Sequence, residues 1–143
     1  MSAPKTSFER FEFKYWLTKE LADSVLAFIE PFMRSDDWAP NGQRNTSLYL
    51  DSPELDFLSL HEESAPDRLK LRVRAYEESP TGPAFFEIKR KVKWVTFKHR
   101  ATVTQAQVQP LLTGAPISSV RLRTQEETKT LEHFLYLMAV HRA

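Results

Sequence analysis

The sequence predicts an α+β domain, a mostly antiparallel sheet with helices on its outside. Three observations carry this. Several segments alternate apolar and polar residues, as a half-buried strand does. Two longer segments repeat apolar residues at helical spacing. The turn-rich run Ser79-Pro-Thr-Gly-Pro83 joins two of the alternating segments as a hairpin.

In chain order, residues 7–17 place Phe11, Phe13, Tyr15 and Leu17 on one face and Arg10, Glu12 and Lys14 on the other, a strand. Thr18 is placed to cap a helix over 19–34, where Leu21, Val25, Phe28, Ile29 and Phe32 recur, and Pro31 kinks it or ends it early. Residues 35–45 read as loop, 46–51 as a short strand and 54–62 as a short helix. Strands follow over 68–76, 84–93 and 94–104. A short helix over 104–112 is broken or bent at Pro110. A closing helix over 126–140 carries Leu131, Phe134, Leu135 and Met138.

With 143 residues, 41% hydrophobic and 27% charged, the chain reads as one soluble domain over 1–143. It holds no cysteine, which excludes disulfides, zinc–thiolate sites and thiol catalysis. The N-terminal residues have no apolar stretch of a signal peptide, and the run Phe134–Val140 is far too short to cross a bilayer. A cytoplasmic location is expected.

The net charge is only +1, but it is unevenly spread. Between Ala65 and Ala101 stand ten Lys or Arg against four Asp or Glu, a local excess of +6. Its centre is Arg-Leu-Lys-Leu-Arg-Val-Arg-Ala-Tyr over 68–76. In a strand, Arg68, Lys70, Arg72 and Arg74 share one face with no carboxylate among them. Like charges at that spacing repel unless an anion lies across them. Burying them unpaired is prohibitive, so the face is either an open, solvated surface or the wall of a wet tunnel. In the next strand Phe85, Glu87, Lys89 and Lys91 share a face, and in the one after it Lys98 and Arg100 do.

Five motifs in order now resemble a known family. They are Glu12-x-Lys14, Ser-Leu-Tyr-Leu-Asp-Ser over 47–52, the cationic strand 68–76, Phe-Glu-Ile-Lys-Arg-Lys over 86–91, and Lys98-x-Arg100. The resemblance is to the VTC domain, the polyphosphate polymerase domain of the vacuolar transporter chaperone family and its bacterial relatives. That family belongs to the triphosphate tunnel metalloenzymes, or CYTH superfamily. The resemblance implies a closed antiparallel barrel whose tunnel is lined by Lys, Arg and Glu. It also implies Mn²⁺ or Mg²⁺, and transfer of the γ-phosphoryl group of ATP to a polyphosphate chain. Other branches hydrolyse triphosphates or cyclise ATP. Arg10 stands where the superfamily signature has a first Glu, which fits the VTC branch better than the hydrolase branch.

By the same resemblance, Lys14, Arg72, Arg74 and Lys89 are the expected catalytic groups. Arg10, Lys70, Lys91, Lys98 and Arg100 are expected to bind the nucleotide and phosphate chain, and Glu12 and Glu87 the metal. Each glutamate has a plainer reading, pairing with neighbouring lysines. Arg68 reads as exposed, and Tyr49 and Tyr76 read as core packing ahead of nucleotide contact. The motifs match the N-terminal half of the family tunnel, so a curved sheet forming half a barrel is expected. Either the rest was cut away, or a second copy completes the tunnel as a homodimer. Two rival functions stay open. One is a non-catalytic module or triphosphatase that binds polyphosphate, triphosphate or inositol phosphate. The other, nucleic-acid binding, needs aromatics interleaved with the cations, and strand 68–76 supplies only Tyr76.

Overall fold

A computed structural model describes residues 15–34, 44–76 and 81–143. The chain divides into two compact units, Met1–Asn41 and Gly42–Ala143.

In the first unit, helix α1 spans Lys19–Ile29, and the Thr18 hydroxyl accepts from the Leu21 N–H at 3.3 Å. The predicted helix ran to 34. It ends early at Pro31, one of the two outcomes expected there, in a 3₁₀ turn over Glu30–Phe32. Tyr15 and Leu17 lie outside any strand. The rest of the strand expected over 7–17, with Arg10, Glu12 and Lys14, lies outside the described residues.

The second unit is built on one open sheet, β1 (Thr46–Leu50), β2 (Asp67–Ala75), β3 (Pro83–Val92) and β4 (Val95–Thr104). The four strands lie in sequence order and every pair is antiparallel. Helix α2 (Asp56–Glu62) joins β1 to β2; α3 (Gln105–Leu112) and α4 (Gln125–His141) follow β4. The α+β architecture with an open antiparallel sheet is as predicted.

The period-2 pattern sorts side chains cleanly. Leu71 and Val73 of β2, Ala84, Phe86 and Ile88 of β3, and Ala101 and Val103 of β4 are all buried on one face. Against them pack Leu111 of α3 and Leu131 and Phe134 of α4. The Phe86 and Phe134 rings meet edge to face, with centroids 4.9 Å apart. Removing either ring from so filled a core costs about 3–5 kcal/mol.

Caps fix the helix starts. The Thr104 N–H donates to Gln107 Oε1 at 2.9 Å, opening α3. Of the break or bend expected at Pro110, the break is absent: the helix runs on through the proline to Leu112. Glu127, in the first turn of α4, accepts from the Arg123 N–H (2.9 Å) and from the Thr102 N–H of β4 (3.2 Å). One carboxylate thus braces the residue before the N-cap Thr124, ties the helix to the sheet and suits the positive end of the helix dipole.

The start of α2 matters most for the site. Asp51 Oδ1 accepts from the Ser52 and Phe57 N–H groups at 2.8 and 2.9 Å, and Oδ2 accepts from the Leu58 N–H at 2.9 Å. The Ser52 hydroxyl donates to Asp56 Oδ2 at 2.8 Å. The last two residues of the 47–52 motif, Asp51 and Ser52, are therefore a device that aims α2. Asp51→Ala should destabilise the fold by about 1–2 kcal/mol, as loss of a helix cap does. Urea unfolding checks this; an unchanged midpoint would contradict the assigned role.

Candidate functional site: a cationic sheet face

The other face of the sheet carries the charge. Antiparallel register puts directly opposed residues on the same face, so the pairings define rows across the strands. The first row is Arg68, Lys91 and Thr96. The second is Lys70, Lys89 and Lys98. The third is Tyr49, Arg72, Glu87 and Arg100, and the fourth is Ser47, Arg74, Phe85 and Thr102. Strands about 4.8 Å apart and rows about 6.7 Å apart spread these groups as a grid.

Seven of the residues singled out from the sequence thus converge: Lys70, Arg72, Arg74, Lys89, Lys91, Lys98 and Arg100. Glu87 joins them. Arg10, Glu12 and Lys14 lie outside the described residues.

Glu87 organises the third row. Its side chain is 1% exposed, yet it is charged. Arg72 Nε donates to Oε2 at 2.6 Å, and Arg100 Nε donates to Oε1 at 2.9 Å. The Nη2 of each arginine bonds the same oxygen as its Nε. Lys98 Nζ stands 3.5 Å from Oε1. Burial alone would raise the carboxyl's pKa. The Arg100 hydrogen bond, the Lys98 charge and Arg72 outweigh it and hold Glu87 below the ordinary carboxylate range.

The arginines are held from their other sides too. Arg72 Nη1 donates to the Tyr49 hydroxyl at 3.2 Å, and Arg74 Nη1 donates to the Tyr76 hydroxyl at 3.4 Å. Arg100 lies 4.6 Å from the centroid of the Phe85 ring, in cation–π contact. Tyr49 and Tyr76 are therefore not core residues, contrary to expectation. Tyr49 is 56% exposed and pairs on the cationic face, because strand parity puts it opposite Arg72. The hydrogen bond from Arg72 lowers the Tyr49 pKa against the effect of burial.

The second row is different. Among the described residues, no carboxylate pairs with Lys70 or Lys89. Burial lowers the Lys70 pKa, and Lys89, Arg68 and Arg72 lower it further. Such unbalanced positive charge is stabilised by an anion lying across it. At this end the face opens into a cavity of 220 Å³ lined by His61, Arg68, Lys70, Lys89, Lys91 and Thr96.

Two residues here escaped the sequence. Arg68, expected to be merely exposed, is a half-buried wall of the cavity. His61 sits in the last turn of α2, and only the fold brings that turn beside β2 and β3. His99 faces away from Lys98 and Arg100, as alternation requires, and lines a second, mostly apolar cavity on the opposite face.

Of the two metal ligands expected from the resemblance, Glu12 lies outside the described residues and Glu87 is on this face. Glu87 is the carboxylate in the four rows, and both its oxygens are engaged by guanidinium groups. Among the described residues no group of three or more His, Asp or Glu is arranged to hold an ion. No helix among them is long and apolar enough to cross a membrane.

The model of the VTC domain family matches residues 9–142. No curated protein and no solved structure matches the chain.

Proposed function

Because the chain belongs to the VTC domain family, we propose that the cationic face binds the triphosphate of ATP and the end of a polyphosphate chain, and transfers the γ-phosphoryl group between them. The observation that carries this is the second row, where Lys70 and Lys89 face each other without a carboxylate between them. A linear chain of phosphates laid along the strands, crossing the rows, meets Lys70 and Lys89, then the Arg72–Glu87–Arg100 row, then Arg74.

In the reaction the bond from the γ-phosphorus to the β–γ bridging oxygen breaks. A bond forms from that phosphorus to a terminal oxygen of the polyphosphate, and ADP leaves with the electron pair. Such a transfer asks the protein for alignment and charge stabilisation rather than covalent chemistry. Arg72 and Arg100, held rigidly by Glu87, supply fixed charge. Lys70 and Lys89 supply mobile charge. Of the family's expected groups, Arg10 and Lys14 for phosphate and Glu12 for Mn²⁺ or Mg²⁺ lie outside the described residues. Those ions would enter with the nucleotide and offset charge on its phosphates.

Incubating the protein with ATP and Mn²⁺ or Mg²⁺ should yield polyphosphate and ADP. Tripolyphosphate binding without product would favour the second reading, a phosphate-chain receptor. The outer edges of β1 and β4 have no strand partner among the described residues. Those edges are where a second copy or further chain would pair to complete a tunnel.

A further inference from the structure

Resting on the phosphate-chain reading of the same face, we propose that His61 is a proton-dependent phosphate contact, which makes binding at the Lys70–Lys89 end of the face tighten as pH falls. The cavity there is built from three elements. Helix α2 contributes His61, β2 contributes Arg68 and Lys70, and β3 contributes Lys89 and Lys91. Thr96 of β4 closes it without charge. Asp51 and Ser52 fix the start of α2, and this sets where its last turn falls.

The electrostatics of the empty cavity oppose a fifth positive charge. Desolvation lowers the His61 pKa first, and Lys70, Arg68 and Lys89 lower it further. Glu62, its neighbour on α2, acts weakly the other way. His61 is therefore neutral in the free protein near pH 7. A phosphate group seated among the four cations cancels their repulsion and offers oxygen acceptors. The imidazole then gains a proton and donates to the anion. Protein and ligand take up this proton together, so the affinity is linked to pH.

The sign follows from the two pKa values. The bound state holds the proton more tightly than the free state. The contribution of His61 is thus small above the bound-state pKa, grows as pH falls through it, and levels off below the free-state pKa. The slope is at most about tenfold in affinity per pH unit, the limit for one proton.

Calorimetric titration with tripolyphosphate between pH 8 and 5.5 tests this on the wild type, His61→Gln and His61→Arg. Tripolyphosphate itself titrates in this range, but equally for all three proteins. Buffers of different ionisation enthalpy report the protons taken up. The wild type should gain affinity over His61→Gln as pH falls, with greater proton uptake. His61→Arg should bind more tightly than His61→Gln at every pH, without the extra slope. Parallel pH profiles and equal proton uptake for wild type and His61→Gln would overturn this inference while leaving the phosphate-chain reading intact. No binding by any of the three would overturn both.

Discussion

Replacing Arg74 by Ala lowers tripolyphosphate affinity by at least about tenfold while leaving thermal stability unchanged. Replacing Arg72 and Arg74 together lowers it by about a hundredfold or more. A charge-assisted hydrogen bond contributes roughly 1.5–3 kcal/mol, so two lost guanidinium forks account for about 3 kcal/mol or more. The two arginines differ in what they hold. Among the described residues Arg74 makes only long hydrogen bonds, to Ser47 Oγ and the Tyr76 hydroxyl at 3.4 Å each, so its loss strands nothing buried there. Arg72 is one of the two guanidinium partners of buried Glu87, and its removal also weakens the fold. Titration calorimetry with parallel thermal unfolding separates the two effects. Unchanged affinity in the folded Arg74→Ala protein would mean that the anion lies elsewhere.

Glu87→Ala destabilises the folded protein by about 3 kcal/mol at pH 7. Breaking a buried ion pair costs about 3–5 kcal/mol, because the charges left behind have no partner. Here the partners, Arg72 and Arg100, keep side-chain exposures of 18% and 39%, which places the effect at the lower end. The folded-state pKa of Glu87 is depressed below its ordinary 4.5. Its contribution is therefore complete above about pH 4.5 and is lost as pH falls through the folded value. Urea unfolding should show the gap between wild type and Glu87→Ala closing in acid. A gap that stayed constant down to pH 3 would show that Glu87 acts through packing and not charge. Tripolyphosphate should raise the melting temperature of the variant more than that of the wild type, because an anion replaces the missing partner of the two arginines.

Much of this site was legible because strand parity is a strict rule. Alternation in 68–76 assigned Arg68, Lys70, Arg72 and Arg74 to one face, and the hairpin brought Glu87, Lys89 and Lys91 opposite them. Register was not legible. No local pattern says that Glu87 falls between Arg72 and Arg100, so a carboxylate with metal-ligand chemistry is also a carboxylate fully engaged by arginines. Tyr49 looked apolar enough for the core because its segment is short and its pairing partner lies 23 residues on. His61 carried no local signal at all. Its place depends on Asp51 setting the start of α2 and on the chain turning back into β2, which are long-range facts. Pro110 shows a local breaker signal outweighed by tertiary packing: the proline costs α3 an i→i−4 hydrogen bond, yet the helix runs on to Leu112 with Leu111 in the core.

On the proposed function this face selects a linear chain of phosphates over other polyanions. Competition at about 0.15 M salt tests it most directly, with tripolyphosphate set against a single-stranded oligonucleotide of matched charge. The expected result is a saturable tripolyphosphate isotherm that the oligonucleotide displaces weakly and that Arg74→Ala abolishes or shifts by tenfold or more. Tighter binding of the oligonucleotide, or equal binding of both with no response to Arg74→Ala, would contradict it.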